Sequence, residues 1–334
     1  MNRKRKTEKV LSWGLLLVGL FIFGLLIHRA GWNNLIALFQ RANKGYWTIG
    51  VGIYALSMLF RALKWWMLLM TIRSVAFGRF LPIYFFNSVL GNITPFKSGE
   101  AVGPVLFKRY LDVEIGHGFS VIFIDRILEL IWMLLCLGLG FTYLVTHISM
   151  TSLLSNTLIL AGGLILLLIG FLIVVLFVEP LGYGILSFLP RHIKLERLRH
   201  MIMRLRDELI HFYAFRKGNR LSRKMVVLNL FTALAFLSQF VAVWIVVISL
   251  QPVHFMASLT AQAIAIPVSI ISFIPAGIGI AAAGYQAIMM QFGYEYGPIV
   301  GATLLSKVLF LTLIFICGWI SSFNIRRLER NFYE

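Results

Sequence analysis

Charge is what this 334-residue sequence has least of: only 13% of its residues are Asp, Glu, Lys or Arg, against about a quarter in an ordinary soluble domain. Acid is scarcer still, 13 Asp and Glu against 31 Lys and Arg, for a formal net charge of +18. Two cysteines, Cys136 and Cys317, each inside an apolar run, exclude a disulfide framework and a cysteine metal cage. The seven histidines do not cluster, no H-E-x-x-H spacing occurs and no glycine-rich phosphate loop is present. These absences leave no catalytic residues to name, no metal site and no cofactor, and the expectation is of a protein that is not an enzyme.

What the sequence has in abundance is apolar surface, with 59% hydrophobic residues and a mean hydropathy of +0.86. Such a chain faces lipid rather than water. Its basic excess then belongs to cytoplasmic loops, not to a nucleic-acid footprint, which would need a soluble basic face. Arg3, Lys4, Arg5 and Lys6 precede an apolar run with no small-x-small cleavage pattern after it, so the run reads as an uncleaved first helix.

Apolar runs long enough to cross a hydrocarbon core of about 30 Å fall near residues 10–27, 47–70, 119–145, 157–178, 226–250 and 299–323. Two more stretches, 80–111 and 256–290, are broken in the middle by Pro and Gly. The basic residues of the N-terminus, of 190–224 and of Arg326, Arg327 and Arg330, set against loops at 146–156, 251–254 and 291–298 without Lys or Arg, put both termini and the central loop in the cytoplasm. Arg29, Arg41 and Lys44 run against that assignment. On this count 80–111 starts and ends inside, and 256–290 starts and ends outside; each is a re-entrant helix pair or two short spans. Within the basic loop, 179–225, Leu195, Leu198, Ile202, Leu205, Leu209 and Phe212 recur at helical spacing, giving an amphipathic helix that lies on the membrane or on the protein body, or that meets a protein partner.

The two broken stretches match. Ile93-Thr94-Pro95-Phe96-Lys97-Ser98-Gly99-Glu100-Ala101 and Phe273-Ile274-Pro275-Ala276-Gly277-Ile278-Gly279-Ile280-Ala281 share Pro, then Gly four residues on, then Ala two further. Each lies between long spans, and the two insert in opposite directions, which outlines an inverted repeat with units 47–145 and 226–323 inside a single membrane domain, 1–334. The fold expected is an all-α polytopic bundle of about six full spans plus two broken or re-entrant pairs.

Pro95 and Pro275 each remove a backbone donor, and Gly99, Gly277 and Gly279 admit close backbone approach. A helix that restarts after such a break aims unpaired N–H groups at a cavity, a setting suited to a phosphate. Kinks made for packing alone are the plainer reading of one such motif; two matched motifs with polar residues favour a site. Asn87, Asn92, Thr94, Lys97, Ser98 and Glu100 make the first break polar, and Asp125, Arg126, Glu129 and Lys307 place charge inside later spans. Ionisable groups at membrane depth are costly and ordinarily serve a partner or a wet cavity. Arg126 and Glu129, three apart, share a helix face. A buried ion pair that fixes packing is an equal reading for them. Lys64 is expected to snorkel to the cytoplasmic face.

Asn92 to Glu100, Asp125-Arg126-Ile-Leu-Glu129-Leu130 and Ile274 to Ile280 resemble the lysylphosphatidylglycerol synthase transmembrane-region family, the flippase-like membrane proteins, with the resemblance spread over about residues 10–325. It implies movement of lipids, aminoacylated phospholipids among them, between leaflets. Fused members add a soluble aminoacyl-transferase domain, which this chain is expected to lack. The sequence departs from the family at Ile280-Ala281-Ala282-Ala283, where an acid is usual, and at Lys307, where Arg is frequent. The missing acid weakens the case for a cationic head group. The reading that results is a translocase in the cell membrane, with membrane lipids bearing an anionic or phosphate head group as its partners. The alternatives are a membrane-embedded transferase acting on a lipid-linked substrate and a scaffold or regulator working through 190–224.

Overall fold

The computed structural model describes residues 31–148, 221–271 and 279–333, with isolated positions at 24, 25, 28, 29, 184 and 188. The expected spans 10–27 and 157–178, the amphipathic helix of the basic loop, and Pro275 and Gly277 lie outside the described residues. Within them the secondary structure is helical throughout: α1 (Trp32–Arg41), α2 (Lys44–Leu69), α3 (Phe77–Ile93), a 3-10 helix (Pro95–Val102), α4 (Gly103–Leu111), α5 (Ile115–His147), α6 (Leu221–Ile248), α7 (Phe255–Ile271), α8 (Ile280–Gln291) and α9 (Tyr296–Tyr333). Helix is the form that satisfies every backbone group without water. Asn43 starts α2 by accepting the Gly45 N–H at 2.9 Å, an N-cap that its side chain is suited to.

By length and apolar composition, Lys44–Leu69, Lys224–Ile248 and Tyr296–Ile325 are helices able to cross a membrane. α5 is longer than α2 or α6, 33 residues, and carries Asp125, Arg126 and Glu129. The stretch expected to be broken at 80–111 resolves into α3, the 3-10 helix and the nine-residue α4. The stretch at 256–290 resolves into α7 and the twelve-residue α8. At 1.5 Å per residue, α4 and α8 are roughly 14 and 18 Å long, about half a hydrocarbon core.

Two units repeat. In the first, the indole N–H of Trp66 donates to the Val75 carbonyl at 2.8 Å and the ring meets Phe77 edge-on at 5.3 Å. In the second, Trp244 donates to the Val253 carbonyl at 3.0 Å and meets Phe255 edge-on at 5.5 Å. α3 and α7 are both 17 residues long and each contains a proline, Pro82 and Pro267. The turn before α5 holds Asp112 at φ 52°, and the turn before α9 holds Gly293 at φ 81°. Each unit has its own core: Trp65, Phe80, Ile83, Phe107, Ile124 and Leu128 in the first; Val247, Ala257, Ala261, Tyr285, Met289 and Ile299 in the second.

α2 and α6 run antiparallel where the units meet. Trp47 reaches Ser249 at 2.9 Å near one end, Ser57 donates to the Ala235 carbonyl at 2.8 Å further along, and Phe60 lies 6.2 Å from Phe231 beyond it. Antiparallel counterparts mean that the second unit is inverted relative to the first. The units also exchange helices. α3 packs on α9, where a Cβ at Gly318 would strike Val89, and α7 packs on α5, where a Cβ at Gly140 would come 3.2 Å from the Thr260 Cα. Small residues at such crossings let helix backbones approach in a membrane, where no hydrophobic force drives helices together. Arg29, whose charge ran against the loop assignment, lies with its guanidinium 4.9 Å over the Tyr296 ring at the start of α9.

Candidate lipid head-group site

The broken segment of the first unit is shaped by local bonds. The Thr94 hydroxyl donates to the Leu90 carbonyl at 2.9 Å, serving an orphan acceptor at the end of α3. The same oxygen accepts the Gly99 N–H at 2.6 Å, which folds the 3-10 helix back against α3. Gly99 is obligatory there, because a Cβ would strike the Leu90 carbonyl. Lys97 turns the corner at φ 56°, a left-handed conformation that a lysine seldom adopts. Gly91 leaves the slot that the Glu100 side chain fills: a Cβ on it would come 2.6 Å from the Glu100 Cγ.

This segment, α2, α5 and the second unit enclose a cavity of ≈ 500 Å³. Tyr54, Met58 and Arg61 of α2 face it from the middle of that helix, and Lys307 and Ile314 from the middle of the apolar part of α9, so it sits at about half depth of both. Of the residues singled out in the sequence, the structure brings Asn87, Asn92, Thr94, Lys97, Glu100, Arg126, Glu129 and Lys307 to its wall. Ser98 is exposed on the turn and does not line it. Asp125 is fully buried behind the wall. Pro95 opens the 3-10 helix, and Gly279, at φ 84°, precedes α8.

The charged groups form one connected network. Arg126 reaches Glu100 at 3.1 Å, Asp125 at 2.7 Å and Glu129 at 2.9 Å, so the pair read from its three-residue spacing is present. Glu129 also binds the Arg61 guanidinium, whose other nitrogen donates to Gln239 of the second unit at 2.8 Å. Lys64 does not snorkel. It is fully buried and paired with Asp125 at 2.5 Å, with Glu129 at 3.8 Å, because an acid one helix away satisfies the ammonium more closely than the membrane surface would.

Among the described residues, five basic side chains (Arg61, Lys64, Lys97, Arg126, Lys307) stand with three acids (Glu100, Asp125, Glu129) in and behind the cavity wall, a formal excess of two positive charges. No described carboxylate lies within ion-pair distance of Lys97, and the Asn87 amide oxygen is buried beside the cavity without a hydrogen bond. Arg61 and Gln239 are the contributors that sequence reasoning did not select. Arg61, a charge beside Lys64 in an apolar span, was a visible signal; nothing in the sequence pointed to Gln239.

The chain matches the lysylphosphatidylglycerol synthase TM region family over residues 11–318 and belongs to that family. It is also similar to the UPF0104 membrane protein PH1989 of Pyrococcus horikoshii, 25% identical over 335 residues that cover 94% of this chain and 97% of that protein.

Proposed function

We propose that this member of the lysylphosphatidylglycerol synthase TM region family translocates lipids with an anionic, phosphate-bearing head group between the leaflets of the cell membrane. The observation that carries the reading is the surplus of basic groups around a cavity at half depth between two inverted units. A charge at that depth is stable only with a partner, and Lys97, with no described carboxylate within ion-pair distance, asks for an anion. The Arg126 Nε is buried without a hydrogen bond, and a guanidinium is suited to phosphate oxygens. Inverted units that meet at such a site can rock about it and open it to one leaflet at a time. Glu100, Asp125 and Glu129 are each engaged by basic side chains, which favours head-group binding over paired-carboxylate chemistry. The distribution of Lys and Arg supports cytoplasmic termini.

The test is movement of labelled lipids in liposomes reconstituted with the protein, its Arg126→Gln and Lys97→Gln variants, and Lys108→Gln, a control on α4 away from the cavity. Faster anionic-lipid movement than in empty liposomes, lost in the first two variants and kept in the control, is the expected result. Full movement in folded Arg126→Gln and Lys97→Gln protein refutes the assignment.

A further inference from the structure

Which charges travel with a head group depends on the acids around the cavity. Among the described residues three stand in and behind its wall, and each is held by a base. Asp125 is fully buried and held by Lys64 and Arg126. Glu129 is shared by Arg61, Lys64 and Arg126. Glu100 has one ion-pair partner, Arg126 at 3.1 Å. It sits on the 3-10 helix, where Ser98, Ala101 and Val102 are exposed and Gly99 is buried. A segment that buries so little has little to hold it in place. Of the three acids, Glu100 is the one that an anion arriving at Arg126 would displace.

An acid displaced at half depth is satisfied in one of two ways: it takes up a proton, or it finds another base. Arg126 and Glu129 face the cavity beside Glu100 from α5, Arg61 from α2, Tyr84 from α3, Lys307 from α9 and Lys97 from its own segment. Lys97 is three residues from Glu100, lines the same cavity and feels its charge. It has no described carboxylate at ion-pair distance, so it is a base in reserve. The arginines do not give up a proton, and an anion arriving beside the lysines pairs with their ammonium groups. The formal excess of two positive charges, less the one negative charge of a phosphodiester, still leaves the site positive with every carboxylate ionised. Nothing in a loaded site then calls for a proton.

We propose that Glu100 is an exchangeable counter-ion: it passes from Arg126 to Lys97 as the phosphate arrives, no proton accompanies the lipid, and the head group's negative charge crosses uncompensated. Transport is then electrogenic, and a cytoplasm-negative potential drives anionic lipid from the cytoplasmic to the outer leaflet. The inference rests on the translocation reading and adds what powers it.

It is tested with phosphatidylmethanol labelled in one acyl chain, as a trace in phosphatidylcholine liposomes with the reconstituted protein. Its single phosphodiester charge does not titrate near neutral pH. The readout is the outer-to-inner leaflet ratio at steady state, which is independent of how the protein is oriented. One uncompensated charge shifts that ratio about fortyfold per 100 mV. A potassium diffusion potential of about 100 mV, inside negative, is expected to move the ratio from near one to about forty, and the opposite potential to invert it. A pH gradient of about one unit at zero potential is expected to leave it unchanged. A shift approaching tenfold per pH unit, or none under the potential, overturns the proposal and leaves translocation standing, because a proton bound by Glu100 or Lys97 then crosses with the lipid. Movement no faster than in empty liposomes overturns both. The hand-over has its own readout, proton uptake when short-chain phosphatidylmethanol saturates the protein in weakly buffered micelles. None is expected for the native protein, and about one proton per bound lipid for Lys97→Gln, whose displaced Glu100 lacks the reserve base. Uptake of about one proton by the native protein, or none by Lys97→Gln, overturns the exchange.

Discussion

The pair Lys64–Asp125 allows a quantitative separation of what holds the bundle together from what faces the cavity. Both side chains are at most 1% exposed, 2.5 Å apart, and neither lines the cavity. In Asp125→Leu the ammonium would be left with Glu129 at 3.8 Å, an acid already bound by Arg61 and Arg126. Breaking a buried pair at one end costs about 3–5 kcal/mol, because an unmatched charge stays behind. Removing both ends at once, Lys64→Met with Asp125→Leu, takes away one charge of each sign and preserves the excess of two positive charges. Such replacements are often neutral or stabilising; Arg126 also loses its 2.7 Å contact to Asp125 but keeps Glu100 and Glu129, so the double variant is expected within about 2 kcal/mol of the native protein, with anionic-lipid movement retained. The assay is the free energy of unfolding of purified protein in mixed micelles, in a double-mutant cycle. A double variant as unstable as Asp125→Leu alone would refute the reasoning, because the loss would then come from packing rather than from an unpaired charge.

Three further outcomes follow from the same contacts. Glu100→Gln frees Arg126 from one of its three carboxylates and is expected to tighten binding of a short-chain anionic lipid about tenfold, the scale of one charge-assisted bond; unchanged or weaker binding in a titration contradicts a head group held at Arg126. Gly99→Ala drives a Cβ into the Leu90 carbonyl and is expected to lower stability by about 1–3 kcal/mol or more; native stability would show that the 3-10 turn is not packed as described. Trp66→Phe and Trp244→Phe each remove one indole bond, to Val75 and Val253. Their costs are expected to be near 1 kcal/mol each, equal within about half that and additive; a clear inequality would show that the two units are not equivalent there.

Much of the architecture was legible because its signals are local. Apolar runs marked the long helices α2, α6 and α9, and Pro with Gly marked the break at 94–103. The repeat was read from the match around Pro95 and Pro275, the latter outside the described residues, and the structure adds Trp66 and Trp244, which were passed over because tryptophans in apolar runs are unremarked in a membrane protein. The site was legible only in part, since partners belong to tertiary structure. Lys64 was expected at the membrane surface because its acid, Asp125, lies on another helix. Asp125 itself was grouped with Arg126 and Glu129 by sequence, yet one helical step turns it from the cavity toward Lys64. Gln239 acquires its part from Arg61 across the junction of the units, a relation that no periodicity carries.

The central claim is that surplus positive charge at half depth selects an anionic head group for passage. The most direct measurement is the ratio of initial translocation rates for an anionic and a zwitterionic phospholipid with the same acyl chains, both present in the same liposomes with the reconstituted protein. The account predicts a ratio of ten or more, about 1.4 kcal/mol of selection, falling toward one when Arg126 is replaced by Gln. Equal rates for the two lipids, or preferred movement of the zwitterionic one, would contradict it.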